Sequence, residues 1–238
     1  MAEIVALTNV ITLDWLSEIA TYSAQGIGRK EAGEMVTATI CQHISSPDNI
    51  RKTRTILQKV WFDATPLLLK QACELYRSVT SDEKMALHWS LFMDQYTIFD
   101  DMCDVMGNLY AFRDVITLQQ IKERIYGKWG ERNILRTSLT KIMRTFKELG
   151  AVTVGKQKGY YVLQKHTISD PHVAGILLYA TLHSTEKRYM TWQISSLTLR
   201  CFHSTLLVWT SLTWRRLTLS RLNDLITRLF SALLSNTP

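Results

Sequence analysis

The chain has 238 residues, of which 46% are hydrophobic and 21% are charged, and its formal net charge is +7. This length suits one large domain or two small ones, and the apolar fraction excludes a disordered chain because it can supply a buried core. Four cysteines in a chain of this size exclude a disulfide-dense scaffold.

The charge is distributed very unevenly along the chain. Residues 1–112 hold 9 Lys and Arg against 14 Asp and Glu, a net of −5. Residues 113–165 hold 12 against 4, a net of +8, and residues 166–238 hold 7 against 3, a net of +4. An acidic half is therefore followed by a strongly basic block, and this asymmetry indicates an anionic partner more strongly than the total charge does.

The first half of the chain predicts an α-helical bundle, because helix-start signals recur and no strand-like alternation competes with them. Pairing of a capping residue with Pro or acids marks most of these starts. The predicted helix-start signals are Thr12, Ser46 with Pro47, Thr65 with Pro66, and Ser81 with Asp82 and Glu83. The predicted helices are 13–24, 29–42, 47–62, 66–79, 81–96 and 98–112.

Residues 113–165 predict a helix, a turn, a second helix and a β-hairpin. Thr117 with Gln120 is a capping-box pattern that starts the first helix, and Gly127 and Gly130 are expected to break it. The second helix, 133–149, has one apolar stripe and ends at Gly150, as a C′ glycine should. The stripe consists of Leu135, Leu139, Ile142, Phe146 and Leu149. Strands are predicted at 151–154 and 160–163, joined by a five-residue loop that carries two lysines.

This order of elements, with 98–112 as the first helix, and the string GERNILRTSLTKIMRTFKELGAVTV resemble the winged-helix family of DNA-binding domains over residues 98–165. The resemblance implies that the helix 133–149 lies in the major groove and that the hairpin, the wing, contacts the backbone or the minor groove. Arg can bind guanine O6 and N7, while Lys and Thr can reach phosphates or base edges. The candidate DNA-binding residues are Arg132, Arg136, Thr137, Thr140, Lys141, Arg144, Lys156 and Lys158.

Two alternatives stay open beside double-stranded DNA as the partner. A basic helix face is often only a solvated surface, and winged helices also serve as adaptors that bind a partner protein. The helical front end followed by a winged helix also resembles, in architecture, BrxA-type accessory proteins of BREX phage-defence systems. That resemblance implies a bacterial protein that acts as a transcriptional regulator or as an accessory subunit.

No constellation in the sequence predicts a catalytic centre, so we expect no enzyme and no cofactor. Asp100, Asp101 and Asp104 resemble the aspartate-rich Mg²⁺ motif of isoprenoid synthases, but we interpret them as an acidic exposed face and expect no metal site. The cysteines show no C-x-x-C pair and are expected to be buried as small hydrophobic residues. His88 is expected to be a core or boundary residue.

The chain is predicted to comprise a helical domain (1–97), a winged-helix domain (98–165) and a C-terminal segment (166–238). From Thr191 onward the segment holds a single acid, Asp224, and it predicts either an amphipathic helix, a basic segment for a partner or membrane surface, or a stretch translated out of frame. The start has no basic n-region, and the uncharged stretch 201–214 is too short to span a bilayer, so we expect a cytoplasmic protein.

Overall fold

A computed structural model describes residues 7–185 and the backbone of residues 202–203. The fold is mainly α-helical with a small antiparallel three-stranded sheet, as predicted. The helices are α1 (Leu13–Ala24), α2 (Arg29–His43), α3 (Pro47–Phe62), α4 (Pro66–Leu75), α5 (Ser81–Gln95), α6 (Thr97–Tyr110), α7 (Leu118–Trp129), α8 (Asn133–Glu148) and α9 (Pro171–Thr185). The strands are β1 (Val115–Thr117), β2 (Val152–Val154), β3 (Tyr160–Leu163), β4 (His166–Thr167) and β5 (Phe202–His203).

Side-chain capping accounts for several of these helix starts. The Thr12 hydroxyl accepts from the Trp15 N–H, and Thr117 with Gln120 forms the predicted capping box of α7. Helix α5 begins at Ser81, as predicted, and its capping residue is Thr80, in a capping box with Glu83. A Glu at the third helical position satisfies the backbone N–H of the cap, which is why Thr80 caps this helix.

Two predicted caps do not bind their helices through the side chain. Ser46 precedes α3 without a side-chain capping bond, and Pro47 sets the start by its fixed φ. The Thr65 hydroxyl donates instead to Asp94 on α5, at 2.7 Å, and the Thr65 N–H binds the same carboxylate at 2.8 Å. Asp94 therefore attaches the start of α4 to α5.

Several elements differ from the predictions. Gly127 does not break α7, because a glycine inside a helix costs only about 1 kcal/mol, and the helix ends at Gly130, whose φ is +75°. Helix α4 ends at Leu75 rather than at residue 79, and a tight turn leads to the Thr80 cap. Strand β1 was not predicted, since three residues are too few to show an alternating pattern.

The core of the first half surrounds α5, in which every residue from Met85 to Met93 is buried. Helix α9 packs against α5 and α4, and it is also apolar over most of its circumference, as a fully buried helix must be. The Glu83 carboxylate accepts from the backbone N–H groups of Ser169 and Asp170, which fixes the start of α9 beside the start of α5.

The segment 7–11 connects the first half of the chain to α8. Its Leu7 N–H donates to Ser138 at 2.9 Å, and its Ile11 N–H donates to Thr145 at 3.1 Å, both on α8. On its other side, the Asn9 amide donates to Thr53 and to the Asn49 carbonyl on α3. The buried apolar residues therefore form one continuous core from Leu7 to Ala180, and the predicted boundaries at 97/98 and 165/166 stay predictions.

The three-stranded sheet has the order β1-β3-β2, with both pairs antiparallel. Ile116 pairs with Tyr161, and Val154 pairs with Tyr161 on the other side, so these three share the inner face of the sheet. The next register position holds Val115, Val162 and Thr153, which share the outer face of the sheet. The sheet thus packs one face against the helices and leaves the other uncovered by the described residues.

The predictions for residues 191–238 fall outside the described residues, except that β5 pairs in parallel with β4. None of the helices in the described part of the chain is long and apolar enough to cross a membrane. Among the cysteines described there, Cys103 is buried as expected, but Cys73 is only half-buried and Cys41 is exposed. Cys41 lies on the outer side of α2, opposite to buried Val36 and Ile40, which is why it is not in the core.

Candidate nucleic-acid interface

The side of α8 that faces away from the core carries the residues predicted to bind DNA. Arg132, Arg136, Thr137 and Arg144 are exposed, while Thr140 and Lys141 are half-buried. The spacing of four, three and four residues places Asn133, Thr137, Thr140 and Arg144 along the centre of this side, with Arg136 and Lys141 on its flanks. We call these six residues the α8 face.

The cations of this region are available to an external anion. None of the six Lys and Arg residues that were predicted to bind DNA forms a salt bridge with any residue in the described part of the chain. They are Arg132, Arg136, Lys141, Arg144, Lys156 and Lys158. In the described part of the acidic first half, Arg29, Arg51, Lys52 and Lys70 bind a carboxylate, whereas Lys30, Arg54 and Arg77 form no salt bridge.

The hairpin places its two lysines at an exposed tip. Lys156 and Lys158 are both exposed, in the loop between β2 and β3. The loop closes tightly, because the Gly155 N–H donates to the Tyr160 carbonyl at 2.7 Å and a Cβ at Gly155 would lie 3.3 Å from that of Tyr160. Gly159 has a φ of +88°, which favours glycine. The tight loop therefore holds both lysines at the exposed tip of the hairpin.

The C-terminal end of α8 is attached to the first half of the chain through His166. Gly150, with a φ of +77°, ends α8 as predicted, and its carbonyl accepts from the His166 Nε2–H at 3.0 Å. The other ring nitrogen, Nδ1, lies 3.0 Å from the Asp82 carboxylate. The hydrogen bond with His166 lowers the pKa of Asp82, and partial burial opposes that shift only in part. An ionised Asp82 therefore holds the ring against the end of α8.

The turn that leads into α8 is held from α6. The buried carboxylate of Asp101 accepts from the Lys128 ammonium at 2.8 Å and from the indole N–H of Trp129. These are the last two residues of α7 before Gly130 starts the turn. Asp101 thus attaches the end of α7, where the turn toward α8 starts, to α6.

This arrangement corrects the interpretation of Asp100, Asp101 and Asp104 as an exposed acidic face. Asp100 is 4% exposed and Asp101 is 1% exposed. One carboxylate oxygen from each of the three lies within 4.8 Å of the others, a spacing compatible with a cation. Both oxygens of Asp101 already bind Lys128 and Trp129, however, so the contacts here account for that carboxylate without a metal ion. The expectation of no metal site stays a prediction.

Three residues of this surface were missed at the sequence level. Asn133 and Lys147 are exposed on the polar side of α8, and Ile134 is 54% exposed at its first turn. Their signal was present, because Ile134 falls outside the apolar stripe and Asn133 is four residues before Thr137. The predicted set omitted an amide and an isolated aliphatic residue, and it ended at Arg144, before Lys147.

Comparison of the chain with models of known protein families, with curated proteins and with solved structures finds no match.

Proposed function

We propose that the protein binds double-stranded DNA through the α8 face and the lysines of the β2–β3 loop. The observation that carries this proposal is the set of six cations on α8 and the hairpin tip that no carboxylate of the described residues neutralises. The sheet order β1-β3-β2 next to α6, α7 and α8 supports the resemblance to winged helices, in which the helix in the position of α8 enters the major groove.

Contacts to phosphates make binding depend steeply on salt. Each contacted phosphate contributes about 0.9 to the slope of log affinity against log salt concentration, so six contacts would give a slope of about −5. We therefore expect wild-type binding to a duplex, followed by fluorescence anisotropy between low and moderate salt, to weaken along such a slope.

The variant that tests the surface is Arg136→Glu with Lys141→Glu. It should weaken duplex binding by roughly tenfold or more and reduce the salt slope by about 2, because two phosphate contacts are lost. The matched control is Lys30→Glu with Arg77→Glu, which makes the same change in charge at two exposed cations of the first half. Equal losses in both variants would show that only the net charge matters, and an absence of binding by the wild type would refute the proposal.

A protein-binding adaptor is the second candidate function, and the outer face of the sheet favours it. Val115 is 39% exposed and Tyr160 is 42% exposed on that face, and Phe112, in the loop before β1, is 87% exposed. Apolar side chains that are exposed together often mark a protein contact. The salt titration separates the two candidates, since an adaptor shows no duplex binding or none that depends steeply on salt.

The biological role is proposed from the architecture alone. A transcriptional regulator or an accessory subunit of a bacterial system, such as phage defence, would use DNA binding of this kind in the cytoplasm. The helical first half joined to the α6–β3 region supports that context, because it is the arrangement on which the resemblance to BREX accessory proteins rests. Selection from a random duplex pool tests the choice: a regulator should enrich one defined sequence, whereas an accessory subunit need not.

A further inference from the structure

The two threonines of the α8 face have already used their hydroxyl hydrogens. The Thr137 hydroxyl donates to the Asn133 carbonyl at 3.1 Å, and the Thr140 hydroxyl donates to the Arg136 carbonyl at 3.1 Å. Phosphate oxygens, guanine O6 and guanine N7 are all acceptors and require a donor. These threonines are therefore poorly suited to donate to phosphates or to guanine, and each keeps an oxygen that can only accept and a methyl group that can make apolar contact.

Ile134 extends these methyl groups into an apolar ridge. Residues 134, 137 and 140 follow one another at intervals of three, which places them in one oblique row on a helix. Ile134 is 54% exposed in the first turn of α8, because its position lies outside the apolar stripe that faces the core. Arg136 and Lys141 lie on the two sides of the row, so cations flank an apolar strip.

We propose that the ridge formed by Ile134, Thr137 and Thr140 recognises the C5-methyl group of a pyrimidine in the major groove. This inference rests on the proposed function. The thymine methyl is the apolar group among the base edges of unmodified DNA in that groove, and aliphatic side chains or threonine methyls contact it. The methyl of 5-methylcytosine occupies the same position, so thymine and 5-methylcytosine share the chemistry that the ridge recognises.

The test uses four duplexes of equal length, which differ in pairs only by the methyl group. They are alternating A·T, the same with deoxyuridine in place of thymine, alternating G·C, and the same with 5-methylcytosine. Burying one methyl group against an apolar partner should raise affinity about fourfold, so wild-type protein should bind A·T at least that much more tightly than A·U. If affinity is higher for both methylated duplexes than for their unmethylated counterparts, recognition is assigned to the methyl group itself. If affinity is higher only for A·T over A·U, recognition is assigned to thymine.

The variant Thr137→Ser with Thr140→Ser removes only the two methyl groups and keeps both hydroxyl bonds to the backbone. It should lose most of the preference for A·T over A·U, and Ile134→Ala should reduce that preference further. The control Arg144→Gln should weaken binding to all four duplexes by a similar factor and leave the preference intact. Circular dichroism checks that each variant keeps its helix content.

The outcomes separate the inference from the proposed function. Binding of all four duplexes with equal affinity overturns the inference alone, and so does a methyl preference that persists unchanged in the serine variant. If no duplex is bound, the proposed function and the inference both fail.

Discussion

At the residue scale, the first half of the chain contains a histidine that must stay uncharged. His88 is fully buried, and its Nδ1 accepts a hydrogen bond from the indole N–H of Trp61 at 3.0 Å. Burial lowers the pKa of His88 to about 3, with a smaller contribution from the charge of Lys84. A proton on Nδ1 would also face the Trp61 N–H, so the geometry and the burial act in the same direction.

Acidification should therefore destabilise the protein through this residue. The unfolded chain binds a proton at His88 near pH 6.5 while the folded chain does not, so the free energy of unfolding falls between pH 6.5 and about 3. The loss from pH 7.5 to pH 5 should be about 2 kcal/mol, measured by urea unfolding. His88→Gln, whose amide oxygen can still accept from Trp61, should lose less stability over this range. The exposed His43→Gln is the control, and an unchanged pH dependence in the His88 variant would contradict the argument.

At the scale of elements, two glycines near the α7–α8 turn have opposite roles. Gly127 lies inside α7 with no atom within 4 Å of the position a Cβ would occupy. Gly130 ends the helix with a φ of +75° and a ψ of +155°, a conformation that is essentially restricted to glycine and costs other residues about 1–3 kcal/mol. The same residue type thus weakens the helix at one position and permits the turn three residues later.

Alanine substitutions should separate these roles. Gly127→Ala should raise the free energy of unfolding by about 0.5–1 kcal/mol, because it removes freedom from the unfolded chain without a clash. Gly130→Ala should lower it by about 1–3 kcal/mol and should also weaken DNA binding if the turn sets the direction of α8. Thermal unfolding of the two variants beside the wild type measures both effects. A stabilising Gly130→Ala would mean that the turn does not need the positive φ.

At the scale of the whole molecule, residues distant in sequence hold α8 in place. Segment 7–11 binds one side of the helix through Ser138 and Thr145, and the buried apolar core continues from there to α9. His166, bonded to Gly150 and to Asp82, attaches the end of the helix to the start of α5. The proposed DNA-binding helix is therefore supported by the first half of the chain rather than by residues 98–165 alone.

Removal of the two buried hydroxyls tests this support. Ser138→Ala with Thr145→Val leaves the Leu7 and Ile11 N–H groups without their acceptors, which should lower the free energy of unfolding by about 1–3 kcal/mol for each group. Thr55→Val, at an exposed threonine of α3, should change it by less than about 0.5 kcal/mol. Chemical denaturation followed by tryptophan fluorescence gives both values, and equal stability of all three proteins would exclude a structural role for segment 7–11.

The sequence was sufficient at several positions where neighbouring residues decide the conformation. The Thr12 cap, the capping box at Thr117 and the glycine after α8 lie within one helical turn of the groups they bind or terminate, and all three predictions are confirmed. The apolar stripe of α8 and the hairpin with its basic loop follow from periodicity and are confirmed as structure. Their role in binding DNA stays a prediction.

Tertiary structure decided what depends on distant partners. The local sequence does not indicate that Ser138 and Thr145 are buried. They are buried because segment 7–11, more than 130 positions earlier in the chain, packs against them and donates hydrogen bonds to both hydroxyls. Asp101 was predicted to lie on an acidic surface, but its buried carboxylate accepts hydrogen bonds from Lys128 and Trp129. Helical periodicity is a local property, and it determined which elements form. Hydrogen bonds between remote segments are not encoded in any local pattern. They determined which polar groups are buried and which side of α8 remains free to bind.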